Sequence, residues 1–194
     1  MLRRYFGIGA TIIIVGGGLY GLGYRWSPSA AAFARSGGHS REFGVVRHSW
    51  GEVVLLQTPK GPRTELVQRE GFLWHDTANV VFTPKKSGPI HTIGWLNDEG
   101  SQHQITVIAV VVASFAVAYV EAGPDRLRQR RSVTVGNPLI FAWNYSIPAN
   151  QLHLDALSKQ GTILYKYVME EHRTSDGSII STGRFHWVPV RASS

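Results

Sequence analysis

"ITVIAVVVASFAVAYV", residues 105–120, decides what kind of fold this chain can have. Its sixteen residues carry no charge. Coiled into one helix they would cover about 24 Å, short of the ~30 Å of hydrocarbon in a bilayer. Laid out as strand, the Val and Ile of its first half suit a buried position. The preceding "WLNDEGSQHQ" then reads as a hairpin turn leading into "QITVIAVV". Charge placement favours a span: no Lys or Arg lies between Ser87 and Pro124, and Arg126, Arg128, Arg130 and Arg131 follow at once. That asymmetry would put both ends of the chain on one positive side. A continuously apolar run has no period to arbitrate, so a second transmembrane span over 105–120 and a buried strand both stand.

A second apolar run lies near the N-terminus. In "TIIIVGGGLYG", Thr11 to Gly21, the residues Gly16, Gly18 and Gly21 match the G-x-G-x-x-G spacing of a dinucleotide-binding turn, and Glu42 follows at about the ribose-binding distance. The match lacks its context. The helix after the turn would have to be "LYGLGYRW", which meets Ser27-Pro28 after two turns, and no apolar second strand leads to Glu42. A membrane helix accounts for more. Tyr5 to Tyr24 is 20 residues without a charge, bracketed by Arg3, Arg4 and Arg25 and by Tyr5, Phe6, Tyr24 and Trp26. Interfacial aromatics and flanking arginines are what a span requires. Gly17 and Gly21 then form a G-x-x-x-G face on which another helix packs. "SAAAF" offers an A-x-A site at Ala30–Ala32, but the apolar region exceeds the roughly 7–15 residues of a signal peptide.

Charge is unevenly spread along the chain. The net charge is +7, and five of the 20 basic residues (Arg3, Arg4, Arg25, Arg35, Arg41) precede the first acid, Glu42. That leaves 15 basic against 13 acidic residues for 42–194, a nearly neutral body without the basic stripe that a nucleic-acid partner needs. The absence of cysteine excludes disulfides, thiolate zinc, iron–sulfur clusters and thiol catalysis. An acid-free N-terminus with Arg, Ser and Ala is what a mitochondrial targeting segment fused to a stop-transfer anchor contains, and a bacterial inner-membrane signal anchor has the same composition.

Beyond a linker at 27–44, which holds one short helical turn around Ala30–Arg35, strand signals dominate. "EVVLLQ" (52–57), "TELVQ" (64–68), "NVVFT" (79–83) and "IHTIGWL" (90–96) are β-branched or aromatic runs separated by "PKGPR" and "PKKSGP". In "SIPANQLHLDALSKQG", Ser146 as cap, Pro148 in the first turn and Gly161 as stop predict an amphipathic helix with Leu152, Ala156 and Leu157 on one face. "TILYKYVMEEH" and "SIISTGRFHWVPV" flank "RTSDGS", whose Asp176-Gly177 predicts a hairpin.

The C-terminal third is similar to the superfamily of single-span mitochondrial assembly factors. That superfamily includes cytochrome c oxidase assembly factor one and the accessory subunit of the presequence translocase. The residues that carry the likeness are Gly136-Asn137-Pro138 at a Gly-x-Pro turn, and Gly183, Trp187 and Val190 in the terminal strand. The spacing from Gly183 to Trp187 is longer than the family's. The resemblance implies an anchored scaffold without catalytic residues, facing the intermembrane space.

Complete chemical motifs are lacking. Eight histidines (39, 48, 75, 91, 103, 153, 172, 186) show neither H-E-x-x-H nor H-x-H spacing. The closest groupings are His75-Asp76, His153 with Asp155, Glu170-Glu171-His172, and His91 with His103, which flank a turn and could face each other. No G-x-S-x-G elbow and no G-x-x-x-x-G-K-[ST] loop occurs. Trp26 belongs at a membrane interface. Trp74, Trp95, Trp143 and Trp187 either pack a β-rich core or anchor a protein interface. Arg126, Arg128, Arg130 and Arg131 are candidate contacts for anionic lipid or for an acidic partner.

The sequence therefore predicts a β-rich α+β protein: an N-terminal targeting and transmembrane anchor (1–26), a linker (27–44), and a small antiparallel-sheet domain with one or two helices (45–194). Its expected role is that of a non-catalytic accessory or assembly subunit of a respiratory or translocase-type complex. It would lie in the mitochondrial or alternatively the bacterial inner membrane, with other subunits and the bilayer as partners and no cofactor, metal or nucleic acid. The alternatives are a bacterial cell-envelope or secretion component with a periplasmic domain, and a membrane-tethered enzyme or metal-binding protein using the histidines.

Overall fold

The computed structural model describes residues 18–36, 39–82, 88–100, 103–173 and 179–190, with backbone alone for 171–173 and 179–184. The body is β-rich, with three antiparallel sheets. Contacts divide the chain into two units, Met1–Val81 and Phe82–Ser194, so the boundary falls inside the stretch expected to form one domain.

The first unit is a four-stranded meander, β1 (Arg41–Arg47), β2 (Gly51–Thr58), β3 (Gly61–Glu70) and β4 (Leu73–Val81), paired in that order. The expected strands at 52–57 and 64–68 lie within it, and the one expected at 79–83 overlaps the end of β4, which stops at Val81. What was expected to be linker contributes structure: helix α1 (Pro28–Ala34) and most of β1 come from 27–44. Ser27 caps α1 by accepting from the Ala30 N–H at 3.2 Å, and Pro28 occupies the first turn, where its missing N–H costs nothing. Ala31 and Ala32 are fully buried against Val54, Leu56 and Val67, with Phe33, Val45 and Trp74 at the margin. Two alanines on the buried face let so short a helix lie close to the sheet.

In the second unit β5 (Ile90–Asp98), β6 (Ile105–Val112) and β9 (Pro138–Trp143) form one sheet. The other runs β12 (Ile179–Pro189), β11 (Ile163–Arg173), β10 (Leu154–Leu157), β7 (Tyr119–Ala122) and β8 (Gln129–Ser132). The two share one core. Ile90, Ile108, Val110, Val112, Phe141 and Trp143 from the first meet Val120, Ala122, Leu154 and Ala156 from the second. Trp95, Trp187 and Tyr167 pack along its edge, and the Trp187 indole donates to Thr92 Oγ1 at 3.2 Å. At Gly123 (φ +110°) a Cβ would stand 2.8 Å from the Trp143 ring, so glycine alone lets that indole reach Leu127 O, 3.0 Å away.

The run 105–120 is thus no transmembrane helix. It is β6, buried at every position but Val111, then a turn at Ser114–Ala116, then the start of β7 in the opposite sheet. Val and Ile build the strand, and the Ser114 hydroxyl accepts from the Ala116 N–H at 3.3 Å to reverse the chain. The helix expected over 146–161 is also absent. Ala149–Gln151 is a single 3-10 turn, and Leu154–Leu157 is β10, buried at all four positions between β7 and β11. Cap-like Pro148 and Gly161 flank a strand instead, because a segment buried on both faces has no amphipathic period to satisfy. The strand pairings implied by the turns expected at 95–104 and 173–178 do form, β5 with β6 and β11 with β12, while the Asp176-Gly177 turn itself lies outside the described residues.

Residues 18–21 are helical and end on Gly23 (φ +96°). The Gly23 N–H donates to Tyr20 O at 3.2 Å and the Tyr24 N–H to Leu19 O at 3.0 Å, the paired bonds of a Schellman stop. Among the described residues no helix is long and apolar enough to cross a membrane. Most of the apolar run Tyr5–Tyr24, Gly17 included, lies outside them.

Candidate functional site

The chain leaving Gly23 is built directly into the first unit. Arg25 and Trp74 exchange two backbone hydrogen bonds of 2.8 Å, adding one rung beside edge strand β4. Tyr24 donates its hydroxyl to Glu70 Oε2 at 2.8 Å, which raises the phenol's pKa, and lies with its ring centroid 5.0 Å from that of His75. The Arg25 guanidinium donates to Tyr20 O (2.7 Å) and Tyr24 O (2.8 Å) and rests over the Tyr20 ring at 3.7 Å. A cation on the last helical carbonyls is the favourable end of the helix dipole. On the far side, Trp26 stacks on Phe72 with centroids 5.6 Å apart. The helix end is therefore held by the β3–β4 hairpin through residues 24, 25 and 26 in turn.

That junction exposes apolar surface. Tyr20 is 61%, Leu22 74%, Trp26 76% and Phe72 66% exposed. Phe72 sits at a hairpin tip where turn chemistry asks for nothing aromatic: Glu70 pairs with Leu73, and Gly71 at φ +62° supplies the first position of the two-residue loop. Arg69 Nε donates to Gly71 O at 2.9 Å and fixes the turn. Sequence placed Trp26 at an interface; Phe72 carried no signal there, since its neighbour in space is 46 residues away in the chain.

A polar cluster lies in the same unit, in the layer between α1 and the sheet. Arg63, Glu65 and Val67 alternate onto one face of β3, and Val67 packs under α1. A bulge between Leu66 and Val67 brings Asp76, not Thr77, opposite Val67 and onto that face. Glu65 is fully buried with its carboxyl against the Arg63 guanidinium; Arg63 also donates to Arg35 O at 3.2 Å, and Arg35 pairs with Asp76 at 3.4 Å. Burial, then the neighbouring Asp76 charge, push the Glu65 carboxyl up to about 8. Burial raises Asp76 too, against the opposing pull of its hydrogen bond from Glu65 and of Arg35, Arg63 and His75. A proton held on Glu65 relieves the repulsion between the two buried carboxyls. Such a pair can take up and release a proton, but α1 covers it and a substrate reaches neither carboxyl. Sequence reasoning counted "TELVQ" as a strand and missed the cluster; the signal was an acid at i+2 from Arg63 within a β-branched run.

The arginines singled out in 126–131 are divided by their surroundings. Arg128 pairs with Asp155, with Glu121 at 3.2 Å and with Asp125 at 3.8 Å. Arg130 pairs with Glu121 at 3.6 Å and lies over Tyr119, and Arg131 lies over Phe141. Arg126 points into solvent beside Leu127, which is half exposed. Gly21 is exposed, and an added Cβ would meet nothing within 4 Å.

The histidines are dispersed. His91 stands opposite Val111, at the far end of β5 from His103, so the two do not face each other. His75 lies 3.9 Å from Glu70, His48 stacks on Trp50, and His153 is exposed while Asp155 turns to Arg128. The side chains of Glu171 and His172 are outside those described. Among the described residues no three His, Asp or Glu gather as metal ligands. Scans against family models, curated proteins and solved structures each return no match.

Proposed function

We propose that this protein is a non-catalytic accessory or assembly subunit of an inner-membrane complex, anchored through its N-terminal apolar run. The supporting observation is the junction at Tyr20–Trp26. The apolar run leads into a helical end stopped at Gly23, and the next three residues are hydrogen-bonded and stacked onto the β3–β4 hairpin. A tether built this way holds the first unit at a fixed distance from the bilayer, which suits a scaffold. The acid-free N-terminus supports a mitochondrial address, with the bacterial inner membrane as the alternative.

Gly21 gives the test its edge. Since a Cβ at Gly21 meets nothing within 4 Å among the described residues, Gly21→Leu should leave both units folded and act through a neighbouring helix. In mild detergent the native protein is expected to migrate within a larger assembly on a native gel, and Gly21→Leu to release it. Migration of the unmodified protein as a lone monomer would overturn the assignment.

A further inference from the structure

The exposed aromatic surface at the junction fits one partner, and we infer that the β3–β4 turn is a second membrane contact, seating Phe72 and Trp26 in the headgroup region of the bilayer. The inference rests on the anchor reading above and extends it from a tether to an oriented dock.

Three features of the junction support a lipid surface. First, the patch is continuous with the chain's apolar run: Tyr20 and Leu22 are its last turn, and Trp26 follows three residues after the Schellman stop. The 20-residue charge-free stretch that ends at Tyr24 therefore delivers this surface to the water–hydrocarbon boundary, where Trp and Tyr rings are enriched. Second, Phe72 at the tip is bound to that end by its stack on Trp26, so the two rings enter or leave the interface together. Third, the charges around the patch are already engaged. Arg25 is spent on the Tyr20 and Tyr24 carbonyls, Arg69 on Gly71 O and Glu70 on Tyr24, which leaves apolar rings as the outermost groups. Two large rings leaving water at the interface add a favourable contact. Beside a spanning helix that is enough to fix the tilt of the unit, though not to anchor it.

The orientation follows from the strand. Lys60 in the β2–β3 turn and Phe72 in the β3–β4 turn sit at opposite ends of β3, a ten-residue strand about 33 Å long. With Phe72 in the headgroups, Lys60 faces bulk water.

The chain contains no cysteine, which makes the test direct. Phe72→Cys and Lys60→Cys, each in the full chain, are labelled with an environment-sensitive nitrobenzoxadiazole dye and reconstituted into phosphatidylcholine–phosphatidylglycerol vesicles. Dye at position 72 is expected to be blue-shifted, several-fold brighter than dye at 60, and quenched by lipid carrying a nitroxide near the headgroup. Dye at 60 should ignore the quencher. If the protein stays with the vesicles through a carbonate wash while both dyes report water, the second contact is refuted and the anchor stands. If dye at 72 is shielded only when a co-purified subunit is present, with no quenching by nitroxide lipid, the surface belongs to a protein partner and the inference fails. If carbonate strips the protein from the vesicles, the anchor reading fails and this inference with it. Trp26→Cys, labelled in the same way, repeats the measurement from the other ring of the stack.

Discussion

Each unit sets arginines among carboxylates, and the two clusters differ in how they settle their charge. In the first unit Arg63 lies beside Glu65, which is fully buried, and near Asp76, whose side chain is 5% exposed. In the second, Arg128 faces Asp155, Glu121 and Asp125, whose side chains range from slightly to almost wholly exposed. Water reaches the second cluster and screens it, so three carboxylates can gather around Arg128, with Arg130 on Glu121, at small cost. Under α1 there is no such solvent, and the cost of two buried anions is met by keeping a proton on Glu65. The same residue types thus give a charged network at the rim of one unit and a proton-sharing pair inside the other.

The largest effect should come from Arg63→Met. Removing the guanidinium leaves the two buried carboxyls beside Arg35 and deletes the exposed hydrogen bond that Arg63 gives the Arg35 carbonyl. Breaking a buried pair from one side costs about 3–5 kcal/mol. The Glu65 proton absorbs part of that, so about 3 kcal/mol is expected by urea unfolding. A loss below about 1 kcal/mol, within the range of an exposed pair, would mean that the shared proton alone satisfies the pair.

Titration sharpens the contrast next. The Glu65 carboxyl titrates near 8 in the folded protein and in the ordinary carboxylate range when unfolded. Between those limits the folded chain holds one more proton than the unfolded chain, so stability falls as pH rises. The contribution is fully present below the unfolded pKa and gone above about 8. The slope for one proton is about 1.4 kcal/mol per pH unit, and the raised Asp76 acts in the same direction. Glu65→Gln keeps a hydrogen-bond donor toward Asp76 and has no proton to lose, so its melting temperature should flatten over that window. A Glu65→Gln profile as steep as the parent's would place the slope elsewhere.

These clusters also mark where sequence stops being legible. Strands β2, β3 and β5 were readable because local β-branched runs and turn residues agree with the tertiary pattern. The 105–120 run was ambiguous because burial on both faces erases any period, and its resolution lies in a turn at Ser114 that its composition does not announce. Leu154–Leu157 was misread as helix because Ser146, Pro148 and Gly161 are placed like helix start and stop signals and Leu152, Ala156 and Leu157 fall at helical spacing. Asp155 between them is a buried strand residue satisfied by Arg128, 27 residues earlier. Glu65 and Asp76 meet across a register that a bulge shifts by one residue, and Trp26 meets Phe72 through a bridge to an edge strand. All three depend on pairings between distant segments, which propensity and spacing do not encode.

The smallest of the three effects is expected at Arg128, and its salt dependence is what separates the two clusters. Arg128→Met removes three ion pairs at once, yet the guanidinium is one-quarter exposed and Asp125 is almost wholly so. Asp155 alone loses a partner it needs, because it sits in the buried strand β10. A cost of about 1–2 kcal/mol follows, between the exposed and buried cases. Ions at 1 M shorten the screening length to about 3 Å, which should remove most of the difference between parent and Arg128→Met while leaving the Arg63→Met deficit nearly unchanged. Equal salt sensitivity in the two variants would show that solvent reaches both clusters alike, and the proton on Glu65 would then need another cause than burial.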